Sequence, residues 1–318
     1  MQDKIIELLK KKEDYVSGEE ISHHLKITRQ GLWKHIQEMK TSGYEILAVP
    51  HLGYKLVSSP DRLFASEIGR KLHTKLIGKK FYYFDEIDST MDIASQLASK
   101  GAVSGTVVVC ESQSKGRGRL GRQWVSPKYK GIYASIILRP KLSPSEASIL
   151  TLLTAVSACE AIKEVAGIDA RIKWPNDILL GNKKLGGILL ELTAETDEVK
   201  SVVIGIGLNV NNAKAGLVAG ATSLKEQRAE AVSRVELLQE LLRRIESNYL
   251  KLEKEGNSHI VEKWRGLCVT IGARVKVVYH NRHIEGHAVN IDKDGGLLVR
   301  RDSGFIEKVM SGDIVHCR

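Results

Sequence analysis

Cysteine, proline and aromatic residues are all scarce in this chain. Four cysteines occur in 318 residues: Cys110, Cys159, Cys268 and Cys317. No two form a Cys-x-x-Cys pair, so neither a disulfide framework nor a zinc site is expected, and all four read as plain thiols. No apolar run approaches the roughly 20 residues of a membrane span. The opening Met1-Gln2-Asp3-Lys4-Ile5 lacks the apolar core and cleavage site of a secretory signal. A cytoplasmic protein with no membrane partner is the expectation. Aromatics make up only 5%, yet the 42% hydrophobic content is enough for a real core and excludes disorder. Repeats and low-complexity tracts are absent.

What is present is positive charge, unevenly spread. The net charge is +10; residues 61–130 hold thirteen basic and seven acidic groups, whereas residues 1–60 hold nine and eight. A local cationic excess attracts phosphate, whether on nucleic acid or on a nucleotide. At roughly 150 residues per domain the length suggests two domains or three. Pattern shifts divide the chain into residues 1–60, 61–270 and 271–318, with Ser58-Ser59-Pro60-Asp61 as a turn-rich linker.

Residues 1–60 read as three short helices and a hairpin. Ile5, Ile6, Leu8 and Leu9 line a first helix, and Ser17 with Glu20 forms a capping box for a second. Thr28 caps a third, with Leu32, Ile36 and Met39 at helical spacing. Two helices split by a tight turn, the second with exposed donors, give the helix-turn-helix layout. Thr28, Arg29, Gln30, Lys34 and His35 are the candidate DNA contacts. The hairpin after it, residues 44–57, reads as a wing. Residues 61–270 alternate strands, among them Phe81–Phe84 and Thr106–Cys110, with helices expected at Met91–Ser99, Ser143–Ala166 and Ser233–Glu255, the last capped by Ser233. Residues 271–318 switch to period-two alternation with Asn/Gly/Asp turns, the pattern of a small β-barrel.

Five segments carry polar groups suited to chemistry. Gly116-Arg117-Gly118-Arg119-Leu120-Gly121-Arg122-Gln123-Trp124 satisfies G-x-G-x-x-G after a strand. No amphipathic helix follows it, and no acidic residue stands about 20 positions on, so it is not a dinucleotide fingerprint. It offers a flexible loop with three guanidiniums for an anion and an indole for stacking. Lys173-Trp174-Pro175-Asn176-Asp177 places an amide, and a carboxylate able to hold Mg²⁺, at a strand end. Asn182-Lys183-Lys184-Leu185-Gly186-Gly187 puts lysines in a turn beside glycines that admit a close neighbour. Asp88-Ser89-Thr90-Met91-Asp92 reads as a helix start, with Ser89 and Asp92 as a capping box. Gly205-Ile206-Gly207-Leu208-Asn209 ends a strand with backbone open to close contact.

These motifs, in this order and behind a winged helix-turn-helix, resemble the bifunctional biotin protein ligases that double as biotin operon repressors. The resemblance covers essentially the whole chain. It implies an α+β fold: an N-terminal winged helix-turn-helix, a central mixed α/β ligase domain of the class II synthetase-like type, and a C-terminal SH3-like β-barrel. It implies that biotin and Mg²⁺-ATP give biotinyl-5′-AMP, whose biotin passes to a lysine of a biotin carboxyl carrier protein. The adenylate would also act as corepressor, promoting a homodimer that binds operator DNA. Residue by residue, Lys184 and Arg119 would be catalytic. Ser89, Thr90, Met91, Gln113, Arg117, Gly118, Arg119 and Lys184 would bind biotin. Trp124, Asn176 and Asn209 would bind nucleotide, with Asp177 linked to the metal. Leu120 departs from the family pattern, which often has a basic residue there; Leu cannot pair with phosphate. A ligand-sensing repressor without ligase activity, and a lipoate or octanoate ligase, are the competing readings.

Overall fold

A computed structural model describes all residues except 13, 196, 280, 281, 311, 317 and 318. Cys317 therefore lies outside the described residues. The chain separates into two compact units, Met1–Arg62 and Leu63–Arg318.

The first unit comprises α1 (Gln2–Lys11), α2 (Gly18–Leu25), α3 (Arg29–Thr41) and the antiparallel hairpin of β1 (Glu45–Val49) and β2 (Gly53–Ser58). Its core is Ile5, Ile6, Leu9, Ile21, Leu32, Ile36 and Met39, the residues that helical spacing selects. Ser17 Oγ accepts from Glu20 N at 3.1 Å and Thr28 Oγ1 accepts from Gly31 N at 3.0 Å, so both expected caps form.

The second unit continues with α4 (Ala65–Gly69), β3 (Phe81–Phe84), α5 (Thr90–Ser99), β4 (Thr106–Cys110), β5 (Gly131–Leu138), α6 (Ile149–Ala166), β6 (Arg171–Lys173), β7 (Asp177–Leu180), β8 (Lys183–Glu195) and β9 (Glu198–Asn209). Then come α7 (Leu224–Arg228), α8 (Arg234–Glu255), α9 (Ser258–Leu267), β10 (Arg274–Tyr279), β11 (Arg282–Ile291), β12 (Leu297–Arg300), β13 (Ile306–Val309) and β14 (Asp313–His316). Seven strands form a mixed sheet in the order β3-β4-β5-β9-β8-β7-β6, parallel only between β3 and β4. The last five strands form an antiparallel sheet in the order β13-β12-β11-β10-β14.

Both faces of the large sheet are covered. Val107 and Val109 of β4 join the core beneath α6 and α8, whereas Val108 between them joins a smaller cluster with Met91, Ala94 and Ala98 of α5. Alternating side chains thus meet apolar partners on both sides, which explains the unbroken Val-Val-Val run. Helix α6 is apolar on nearly all sides because it is sandwiched; Thr154 and Ser157 turn their hydroxyls back to Leu150 O and Leu153 O. Cys110 and Cys159 are buried and Cys268 half-buried, all free thiols, and burial pushes the Cys159 thiol up to about 12.

Three local expectations shift. The helix foreseen from residue 143 begins at Ile149, because Ser143 N–H and Oγ both donate to Glu146 and close a separate turn first. Lys183 and Lys184 do not sit in a turn: the turn is Gly181-Asn182, and both lysines open β8. Strand β14, foreseen by no pattern, completes the small sheet beside β10.

Candidate active site and DNA-binding surface

A cavity of about 390 Å³ opens on the α5 side of the large sheet. Its wall includes Ser89, Thr90, Met91, Gln113, Arg117, Gly118, Arg119, Trp124, Asn176, Asp177 and Lys184. The sequence scatters these eleven over 96 positions; the sheet brings them together. Of the ligand residues expected, only Asn209 stands outside, in a smaller pocket beside Trp124 and Lys184.

The start of α5 differs from its expected capping box. Ser89 makes no cap bond. Gln113 supplies the acceptor instead: its Oε1 takes Thr90 N–H at 2.8 Å and the Thr90 hydroxyl at 3.1 Å. Ser135 Oγ donates to Thr90 Oγ1 at 2.8 Å, and Gln113 Nε2 donates to Ser126 Oγ at 2.9 Å. This chain of bonds holds the helix start against the segment after Trp124, where Gln113 and Ser126 form an isolated bridge. Both ends of Gln113 thus serve neighbours. The Ser89 hydroxyl, on a residue 1% exposed, is left with no partner among the described residues. An unpaired buried hydroxyl in a cavity wall calls for a ligand group.

Trp124 presents the same signal, since its Nε1 is buried without a partner among the described residues. Its indole lies against Gly207: a Cβ added there would come within 2.6 Å of Cε2. Gly205 likewise accommodates Met91, whose Sδ would meet such a Cβ at 2.6 Å. The glycines of β9 therefore seat side chains that line the cavity.

Lys184 is aimed by a bulge between β7 and β8, where the pairing shifts between Ile178 and Leu179. Its Nζ lies 2.6 Å from Asp177 Oδ1 and 5.7 Å from the Trp124 ring centroid. Asp177 is thus engaged by a lysine. Among the described residues no group of three or more His, Cys, Asp or Glu could hold a metal ion. Magnesium that entered with ATP would rely on substrate phosphates and find two carboxylates in the wall, Asp177 and Asp313, each already paired with a cation.

The Arg-Gly loop is folded on its own backbone: Gly118 N–H donates to Arg122 O at 2.7 Å, and Trp124 N–H to Gly116 O at 2.8 Å. Leu120 adopts φ 56° and is 70% exposed. Arg117 pairs with Asp92 at 2.7 Å and Glu191 at 3.3 Å. Arg119 donates to Asn176 Oδ1 at 3.2 Å and to Gly312 O at 3.4 Å. Burial lowers its guanidinium from the ordinary value, and the carboxylates of Asp313 and Asp177 oppose that shift. Arg122 pairs with Asp313.

Both asparagines expected to touch nucleotide make internal bonds. Asn176 Nδ2 donates to Ile188 O at 2.7 Å while its Oδ1 receives Arg119. Asn209 Nδ2 donates to Thr222 O at 3.1 Å and holds the segment whose Gly220 O accepts Lys184 N–H. Sequence reasoning counted Arg122 among the loop's three guanidiniums but gave it no role of its own, and it missed the wall residues Gly312, Asp313, Ile314 and Val218. The glycine- and alanine-rich stretch around Val218 was a usable signal. Asp313 had none, because the pairing of β14 with β10 alone brings it here.

In the first unit, Gln30 and Lys34 of α3 are exposed and His35 is half-buried beside Glu38, at 3.3 Å. Arg29 is exposed and pairs with Glu19 at 2.9 Å. The Thr28 hydroxyl is committed to its cap. Trp33, absent from the expected contacts, is 57% exposed on the same helix.

Known proteins agree with this geometry. Residues 83–209 match the biotin/lipoate A/B protein ligase family, residues 2–55 an HTH domain, and residues 270–317 the biotin protein ligase C terminal domain. The chain is 40% identical over 305 residues to the bifunctional ligase/repressor BirA of Bacillus subtilis, covering 95% of this chain and 94% of that one. It is 32% identical over 317 residues to the BirA of Escherichia coli, covering 98% and 95%. The biotin protein ligase from Aquifex aeolicus, solved in complex with biotin and ATP, superposes with a TM-score of 0.65 at 31% identity. That match covers 76% of this chain and 99% of the other. With its N-terminal HTH domain and a cavity built from the ligase motifs, this chain belongs to the biotin protein ligase family, in the group of bifunctional ligase/repressors.

Proposed function

We propose that this protein joins biotin to ATP, transfers the biotin to a carrier-protein lysine, and represses transcription when loaded with the adenylate. The observation that carries the catalytic part is one cavity combining Lys184, Arg119 and two buried polar atoms without partners, Ser89 Oγ and Trp124 Nε1.

The biotin carboxylate is a poor acyl donor, so it attacks the α-phosphorus of ATP. The bond from that phosphorus to the bridging oxygen breaks, and pyrophosphate leaves. The negative charge that builds on the phosphoryl oxygens is met by the Lys184 ammonium and the Arg119 guanidinium, each held by a neighbour. Holding both substrates in line removes several kcal/mol of entropic barrier. A neutral lysine amine of the carrier protein then attacks the anhydride carbonyl; an amide forms and AMP departs. Met91 and Ser89 line the biotin end, and Trp124 the nucleotide end. Gln113 and Thr90 act by fixing the start of α5, while Asn176 and Asn209 act by holding Arg119 and the segment around Thr222. Arg117 and Gly118 belong to the loop that closes over the ligand and shields the anhydride from water.

We assign residues 1–60 to DNA binding, 61–270 to catalysis, and 271–318 to a barrel that contributes Gly312 and Asp313 to the cavity. The DNA contacts are those of α3, and the adenylate-bound form is the homodimer that places two such helices on two half-sites. Residence in the cytoplasm suits this role; among the described residues no helix is long and apolar enough to cross a membrane.

Mass spectrometry after incubation with Mg²⁺-ATP and biotin, with lipoate and octanoate in parallel, tests the reading. Biotinyl-adenylate from biotin alone is expected. Biotin binding without adenylate would replace the ligase with a pure sensor-repressor.

A further inference from the structure

Helix α3 carries an apolar group where its function calls for polar ones. Leu32, Ile36 and Met39 face the core of the first unit. At 100° per residue, Arg29, Lys40, Trp33, Gln37, Gln30, Thr41 and Lys34 follow one another over an arc of about 140° that begins beside Ile36, with Trp33 and Gln37 toward its middle and Glu38 about 40° beyond its far end. The arc contains no carboxylate. Trp33 is 57% exposed, while Trp174 and Trp264 are at most 1% exposed. Leu32, Ile36 and Met39 supply the buried face of the helix without it.

A surface that matches this arc must be anionic around an apolar spot. The major groove of B-DNA has that character: phosphates flank it, its floor presents hydrogen-bond acceptors, and every thymine adds a C5-methyl group. We propose that Trp33 is a specificity-determining residue that reads thymine through this methyl group. Arg29, Gln30 and Lys34 surround it and engage phosphates and base edges. The inference rests on the repressor reading above and gives it a base preference.

The experiment is selection of binding sites from random duplexes by the full-length, adenylate-loaded protein, as wild type, Trp33→Phe and Trp33→Ala. Deoxyuridine, which lacks the methyl, then replaces thymine one position at a time in the selected site. Wild type should show one thymine per half-site at which this change weakens binding about fourfold, the factor for one buried carbon group. Trp33→Ala should be insensitive at that position alone, and Trp33→Phe should keep the sensitivity. Adenylate formation should be equal in all three proteins. If Trp33→Ala selects the same site with the same thymine sensitivity, the proposal is wrong. If it loses adenylate-promoted dimerisation instead, the indole meets a second copy of the chain and not DNA. If wild type itself selects no motif, the repressor reading falls and this one with it.

Discussion

An alanine at Gly207 would place its Cβ 2.6 Å from Trp124 Cε2, 2.7 Å from Nε1 and 3.0 Å from Cζ2. The ring is rigid, and the Trp124 main chain is tied to Gly116 O. An alanine at Gly205, on the same strand face, meets Met91 Sδ at 2.6 Å and Cγ at 3.0 Å. Met91 has three rotatable side-chain bonds and can swing aside. Overpacking costs about 1–3 kcal/mol, so roughly 2 kcal/mol suits the rigid indole and about 1 kcal/mol the thioether. If the cost falls on the bound state, Gly207→Ala raises KM for ATP roughly 30-fold, and Gly205→Ala raises KM for biotin about fivefold. Pyrophosphate release measured against each substrate separates the two, with thermal melts as the stability control. Should both variants raise the same KM by the same factor, Met91 and Trp124 do not divide the cavity as described. An unchanged ATP KM and melting temperature in Gly207→Ala would show that the indole is not wedged against β9.

Lys184→Met should slow adenylation about 10²–10³-fold in single turnovers, the usual loss for one stabilising charge; a loss under threefold would remove Lys184 from the chemistry. A Cβ on Gly118 would lie an ordinary 3.4 Å from Arg122 O, so Gly118→Ala should melt like wild type. With ligand present, both Gly118→Ala and Arg119→Gly should lose ligation and adenylate-promoted dimerisation, read by sedimentation; full dimerisation by either would refute a shared loop. Arg234 and Glu111 form a 2.7 Å pair with both side chains fully buried. Arg234→Ala leaves the buried carboxylate without its guanidinium and should cost about 3–5 kcal/mol in denaturant unfolding. Burial pushes the Glu240 carboxyl up, but hydrogen bonds from Arg244 and Arg243 outweigh it and leave the group below its ordinary value. A lowered carboxyl stabilises the fold above its unfolded value and loses that contribution as pH falls through the folded one. Glu240→Gln should therefore melt below wild type at neutral pH, with the gap closing as acid is added.

Legibility along the chain followed the range of the interactions involved. The caps at Ser17, Thr28 and Ser233 were readable because each bond spans three residues. The strands Phe81–Phe84 and Thr106–Cys110 were readable because both faces are apolar. The Ser89 cap was misjudged for the opposite reason. Its rival acceptor, Gln113, is 23 residues from Thr90 and invisible to local pattern.

From the sequence alone came the order of motifs, the cationic excess around the Arg-Gly loop, and an amphipathic third helix with exposed donors. Those properties depend on residue type and short spacing, and together they carry the resemblance to the biotin protein ligases, which is what implies adenylation chemistry coupled to a DNA module. Tertiary structure decided which polar atoms remain available. It engaged both asparagines and Gln113 in internal bonds, and it left Ser89 Oγ and Trp124 Nε1 without partners. It also brought Asp313 from the last strand to Arg122, the last arginine of the ligand loop. The physical reason is that a buried polar group takes whatever partner the packed chain brings within about 3 Å, and for these residues that partner lies from 12 to nearly two hundred positions away.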